Sequence, residues 1–299
     1  LGDVYKRQYI NSSFANNQPG AEELALKILE CLKEHPDITT IVAALESTSV
    51  YSIHIANYLS SCEELMRFKP YVFVLNPKCT ANYKKSYIGL GKSDPIDAFV
   101  IADYARAGNI ESEPWRGSQF LALKRLTRHR LHLVECMTRE KTYLVSNLYL
   151  KFSELQMLEG DDQPFCDIYG ATSSSVLMEY FSPEEILDSS EEDLIAFLAK
   201  KSRNRIKDIS KTADLLKKAA RDSYRLDKAL YEPLNVSIAS SFNCIETFKR
   251  EIKVIDNAIE KEIKGLNPNA FIILQSIDGI GPVSVSYTHL RAHETTLHL

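Results

Sequence analysis

Apolar positions change their period along the chain. In residues 21–34 (AEELALKILECLKE), Leu24, Ile28, Leu29 and Leu32 recur at helical spacing and predict a helix. Pro36 and Asp37 interrupt it. Residues 38–45 (ITTIVAAL) form a short β-rich apolar run, which predicts a buried strand with Glu46 directly after it. Helical periodicity resumes over 51–66, and residues 71–75 (YVFVL) predict a second buried strand closed by Asn76-Pro77. Helix, strand, helix, strand in this order implies an α/β layer with a largely parallel sheet.

The next segment, 92–98 (KSDPIDA), opens a helix. Asp94 is expected as N-cap, because Pro95 suits a first helical position that has no use for an N–H. Gly108 is expected to end it. Beyond Pro114 the pattern is helical almost throughout. Residues 119–150 form one long helix carrying Lys124, Arg125, Arg128, Arg130, Arg139 and Lys141. Residues 165–198 read as short helices, with Ser182-Pro183-Glu184-Glu185 as a capping signature. Residues 211–230 read as a basic helix. Over 236–266, Ile238, Ile245, Ile252, Ile259 and Leu266 fall on one heptad position. Phe248 and Ile255 fall on its partner, which Ser241 and Glu262 interrupt. That pattern suits a coiled coil, or a helix hairpin packing on the 119–150 helix. Residues 274–282 (LQSIDGIGP) read as a glycine-rich turn between two helices.

Charge adds a feature that the total hides. The 299 residues carry a formal net charge of −4. Yet residues 151–198 hold one basic side chain against twelve acidic ones, and 200–228 hold eleven basic against four acidic. The basic block suits phosphate contacts or a solvated helix face. Six scattered cysteines without C-x-x-C spacing suggest buried thiols in a reducing cytoplasm, not zinc or redox chemistry. No apolar run approaches the roughly 20 residues of a membrane helix, so no membrane partner is expected. Both ends read as foreign: residues 1–8 (LGDVYKRQ) and 286–299 (SYTHLRAHETTLHL) resemble translated sequencing adapter. His289, His293 and His298 of the latter match no metal-ligand spacing.

Three carboxylates carry the candidate chemistry. Glu46 follows a buried strand, where ligand sites of open α/β sheets lie. Asp94 and Asp97 are three apart at a helix start and share a face. Carboxylates brought together from a strand end and a helix start suit Mg²⁺, which takes a few carboxylates together with water and phosphate oxygens. Lys92 can hold a phosphate oxygen as a point charge. Singly, each acid is equally well a solvent-facing strand end, a helix cap or a partner of the helix dipole.

Four segments resemble one family, the DEDD-type (RuvC-like) insertion-sequence transposases guided by a bridge RNA. They are LESTSVYS (45–52), GKSDPIDAFVIADYAR (91–106), LKRLTRHR (123–130) and LQSIDGIGP (274–282). The resemblance implies an RNase H-like domain over 9–114, truncated at its start. A helical and coiled-coil region over 115–266 follows, and 267–285 begins a C-terminal transposase domain. It makes Glu46, Asp94 and Asp97 the second, third and fourth acids of a Mg²⁺ site. The first acid and a nucleophilic serine are expected outside this chain, which should therefore be inactive alone. It also implies DNA and a structured guide RNA as partners, and a homo-oligomer. Lys92, Lys124, Arg125, Arg128, Arg130 and the 200–228 block are the expected nucleic-acid contacts. Asp278 departs from the family, which usually has proline there. The competing functions are a junction-resolvase-like metal nuclease and a non-catalytic coiled-coil nucleic-acid-binding module.

Overall fold

The computed structural model describes residues 11–87, 89, 91, 93–266 and 268–291, without the side chains of 270 and 287–291. The chain divides into two compact units. One runs to Arg125 and resumes at Ile259; the other is Leu126–Ala258. The expected boundary at 114/115 lies inside the first.

The first unit begins with α1 (Gln18–Lys33), capped by the Asn17 side chain, which accepts from the Gly20 N–H at 3.0 Å. Gly20 is required there, because any Cβ would collide with the Ala15 carbonyl. Strand β1 is Val42–Glu46, shorter than expected at its start. Then come α2 (Tyr51–Ser61), α3 (Glu63–Met66) and β2 (Tyr71–Leu75). β1 and β2 pair in parallel, from Val42 opposite Tyr71 to Glu46 opposite Leu75. Helix α4 (Pro77–Lys84) follows at once, with the Asn76 side chain accepting from the Lys78 N–H at 2.9 Å and proline in its first turn. Helix α5 spans Asp94–Arg106, and Gly108, at φ +75°, turns the chain after it.

Side chains alternate across a strand. Ala43 and Leu45 of β1, with Val72 and Val74 of β2, therefore face one side. There they pack with Ala25, Ala56, Leu59 and Leu65 into an apolar core. Trp115 joins this core and donates its indole N–H to Asn57 Oδ1 at 2.7 Å. The opposite side carries Ala44, Glu46, Phe73 and Leu75, and α5 packs on β1 there. The parallel α/β layer is thus present as a two-stranded sheet with helices on both faces.

Helix α6 (Ser118–Lys151) leads into the second unit. Helices α7 (Ala171–Glu179), α8 (Pro183–Asp188), α9 (Glu191–Ser202) and α10 (Ile209–Asp222) follow. The basic helix expected to reach 230 stops at Asp222. A break precedes α11 (Lys228–Leu266), whose residues from Ile259 belong to the first unit. In the second unit Leu144 and Leu148 of α6, and Phe152 just after it, form one core with Ile238, Phe242 and Ile245 of α11 and with α7–α10. Ile238 and Ile245 of the heptad pattern are therefore buried in a core within the chain. The capping signature also works differently from its pattern. Ser182 makes no cap bond, and Glu185 instead accepts from the Phe181 N–H at 2.6 Å. Helices α12 (Pro268–Gln275) and α13 (Pro282–Arg291) flank the expected turn, in which Gly279 adopts φ +84°.

Candidate active site

Glu46 ends β1, and the ladder continues one step past it, with the Ser47 N–H donating to Leu75 O at 2.8 Å. Its side chain therefore sits at the carboxyl end of two parallel strands, outside which open α/β sheets keep their ligand crevices. A cavity of about 370 Å³ lies there, lined by Glu46, by Pro77, Thr80, Ala81 and Lys84 of α4, by Gly91, and by Asp97, Val100 and Ile101 of α5. Of the three expected acids, the structure brings Glu46 and Asp97 to this cavity. Asp94 is exposed at the start of α5 and does not line it. Nor is Asp94 the N-cap: Ser93 occupies that position with extended backbone, and its carbonyl accepts from the Asp97 N–H at 3.0 Å. Asp94 is the first residue of the helix and Pro95 the second. Lys92 lies outside the described residues.

Lys84 was not anticipated. Its Nζ donates to Asp97 Oδ1 at 2.5 Å. The pair suits both helices, since the ammonium lies in the last turn of α4 and the carboxylate in the first turn of α5. The signal that could have found it is Asn76-Pro77. Read with the same cap-and-proline logic applied at 94–95, it marks a helix start and places Lys84 on that helix.

Behind Lys84 and Asp97, the same two helices are tied by a second carboxylate. Asp103 accepts from the Tyr83 hydroxyl at 2.8 Å, from the Tyr87 hydroxyl, and from Arg106 Nε at 2.8 Å. Burial pushes the Asp103 carboxyl upward, but the hydrogen bonds from Tyr87, Arg106 and Tyr83 outweigh it and hold it below the usual carboxylate range. Burial and the bond to Asp103 push the Tyr87 phenol well above its ordinary value. Edge-to-face contacts of Tyr83 with Tyr87 and with Tyr104 complete the cluster.

Two carboxylates with water and phosphate oxygens satisfy Mg²⁺. The donor set on this cavity therefore fits the ion that the resemblance implies. Among the described residues no group of three or more His, Cys, Asp or Glu side chains stands at metal-binding spacing.

The expected nucleic-acid contacts separate into two sets. Arg125 and Arg128 are exposed on α6. Arg130 is committed, its Nε lying 2.5 Å from Asp256 Oδ1. Three cations of the basic block turn on the acidic one: Lys201 pairs with Glu179 at 2.5 Å, Arg225 with Glu184 at 2.8 Å and Lys218 with Asp162 at 3.4 Å. The opposite charges of 151–198 and 200–228 thus meet across the second unit. Lys200, Arg203, Arg205 and Lys207 remain exposed around the α9–α10 turn.

Compared with known protein families, residues 3–153 match the model of the DEDD transposases of the IS110 type, described as a transposase. The chain belongs to this transposase family. The match spans half of its length and includes Glu46, Lys84, Asp94 and Asp97. No curated protein matches the chain. Membership of a transposase family implies DNA as a partner. Among the described residues no helix is long and apolar enough to cross a membrane.

Proposed function

We propose that the cavity at the end of β1 is where this transposase handles DNA strands, with Glu46 and Asp97 as ligands of Mg²⁺. The supporting observation is that two carboxylates from different elements, a strand end and a helix start, line one cavity at the carboxyl end of a parallel sheet. Asp94, three residues before Asp97, is the further acid implied by the resemblance. When bound, the ion supplies Lewis-acid stabilisation of charge on phosphodiester oxygens. Glu46 and Asp97 fix where it sits, and the Asp103 cluster holds α4 against α5 so that the cavity keeps its shape.

The reaction in this reading is strand cleavage and rejoining by phosphodiester transfer, performed by the whole recombinase as a multimer. A structured RNA that pairs with donor and target DNA supplies sequence choice. Both features rest on the resemblance of the four motifs. Arg125, Arg128 and the exposed cations at 200–207 carry phosphate contacts, which position a strand without reading it.

The test is to load the chain with Fe²⁺ in place of Mg²⁺ and add peroxide, so that hydroxyl radicals cut the polypeptide beside the bound ion. Cuts next to Glu46 and Asp97 that vanish in Glu46→Gln and Asp97→Asn are expected. Cleavage elsewhere, or cuts that persist in both variants, would show that this cavity is not the metal site.

A further inference from the structure

We propose that Lys84 is the internal counter-ion of the acidic cavity, which couples metal binding to DNA binding. It occupies Asp97 until a divalent ion arrives, then turns to a phosphate oxygen. The inference rests on the reading of Glu46 and Asp97 as metal ligands.

The geometry supports it in three ways. Lys84 Nζ sits 2.5 Å from Asp97 Oδ1, so it occupies the oxygen that a dication would need. An ammonium and a dication cannot both lie against one carboxylate oxygen without strong like-charge repulsion. The lysine is anchored but not trapped: its side chain is 22% exposed, and a cavity of about 370 Å³ adjoins it. Four rotatable carbons let the head swing by several ångströms while Cα stays on α4. Displaced from Asp97, the ammonium remains beside a cavity whose only other charged lining side chain among the described residues is Glu46. A phosphodiester entering with the metal provides the anion that it needs there.

A purely structural ion pair between α4 and α5 predicts something else. Removing it would loosen the helices and leave metal affinity unchanged or weaker. The two accounts thus differ in the sign of one measurement.

The experiment is a Mn²⁺ titration of the 299-residue chain followed by electron paramagnetic resonance, with and without a short DNA duplex. Without DNA, Lys84→Met should bind Mn²⁺ roughly two- to fivefold more tightly than wild type, the range expected for removing a partly exposed competing charge. DNA should tighten Mn²⁺ binding in wild type, and by at least threefold less in Lys84→Met, because the coupled site is lost. Lys84→Arg keeps the cation and should stay within about twofold of wild type. If Lys84→Met does not fold, Lys84→Gln carries the same expectation. Unchanged or weaker Mn²⁺ affinity in folded Lys84→Met or Lys84→Gln overturns the inference. Failure of the underlying reading looks different: Asp97→Asn would then bind Mn²⁺ as well as wild type does.

Discussion

Lys151 offers a sharp test of how the helical unit is held together. It is 1% exposed, at the end of α6. Its ammonium donates to the Leu177 and Tyr180 carbonyls, each at 2.7 Å, and to the Asn235 side-chain oxygen. The two carbonyls lie at the end of α7, where helical carbonyls have no donor of their own. Asn235 in turn donates to Phe181 O and Tyr231 O, both at 2.8 Å. One cation therefore joins α6, the α7–α8 corner and α11. Burial pushes its pKa from 10.5 down to about 8, with Glu185 pulling weakly back. That drop disfavours the charged form by roughly 3 kcal/mol at neutral pH. Lys151→Met keeps the length and removes this penalty, but it strands three acceptors at a cost of about 1–3 kcal/mol each. The net expectation is a loss of roughly 3 kcal/mol at pH 7.

The pH dependence separates this account from simple repacking. Between about pH 8 and pH 10.5 the unfolded chain binds more protons than the folded one, so wild-type stability rises with pH across that window. The variant lacks this gain, and its deficit should widen by roughly 3 kcal/mol from pH 7 to pH 10.5. Urea unfolding read by circular dichroism measures it. The single tryptophan, Trp115, lies in the other unit, so its fluorescence transition should stay in place. A deficit equal at both pH values would refute the role assigned to the buried ammonium, and so would a shift confined to the Trp115 signal.

Asp103→Asn should destabilise the first unit by about 2–3 kcal/mol, because one amide oxygen cannot serve two phenols and a guanidinium. The same variant should bring the Tyr87 phenol back toward its ordinary range, read as ionisation absorbance near 295 nm. Arg128→Glu should weaken DNA binding and lower its salt slope by about one, in a filter-binding series over ionic strength. Arg130→Glu, which breaks the pair with Asp256, should change the slope much less and cost only about 0–1 kcal/mol of stability beyond the charge repulsion it introduces.

Much of the fold was legible because its signals are local. The β2 run YVFVL is short and apolar, and it is a strand end to end. The first strand started late because residues 38–40 precede the sheet, which the backbone enters through Ile41: Ile41 donates to Phe68 O and accepts from Tyr71 N. The α5 start was off by one residue, since Ser93 and Asp94 are both competent caps and only backbone geometry chooses between them. Glu46 and Asp97 were legible as acids at element ends, and their shared cavity follows from the sheet topology. Lys84 was not legible, because α4 (PKCTANYK) has little apolar periodicity and its partner lies thirteen residues on. Opposite charge blocks were visible, but their mutual pairing depends on α8–α10 folding back on one another.

The most direct measurement of the central claim is an anomalous difference map from crystals of the chain soaked in Mn²⁺. The account predicts a peak in the β1 cavity, about 2–2.3 Å from carboxylate oxygens of Glu46 and Asp97, with Lys84 displaced from Asp97. A cavity without a peak at saturating Mn²⁺, with Lys84 still on Asp97, would contradict it.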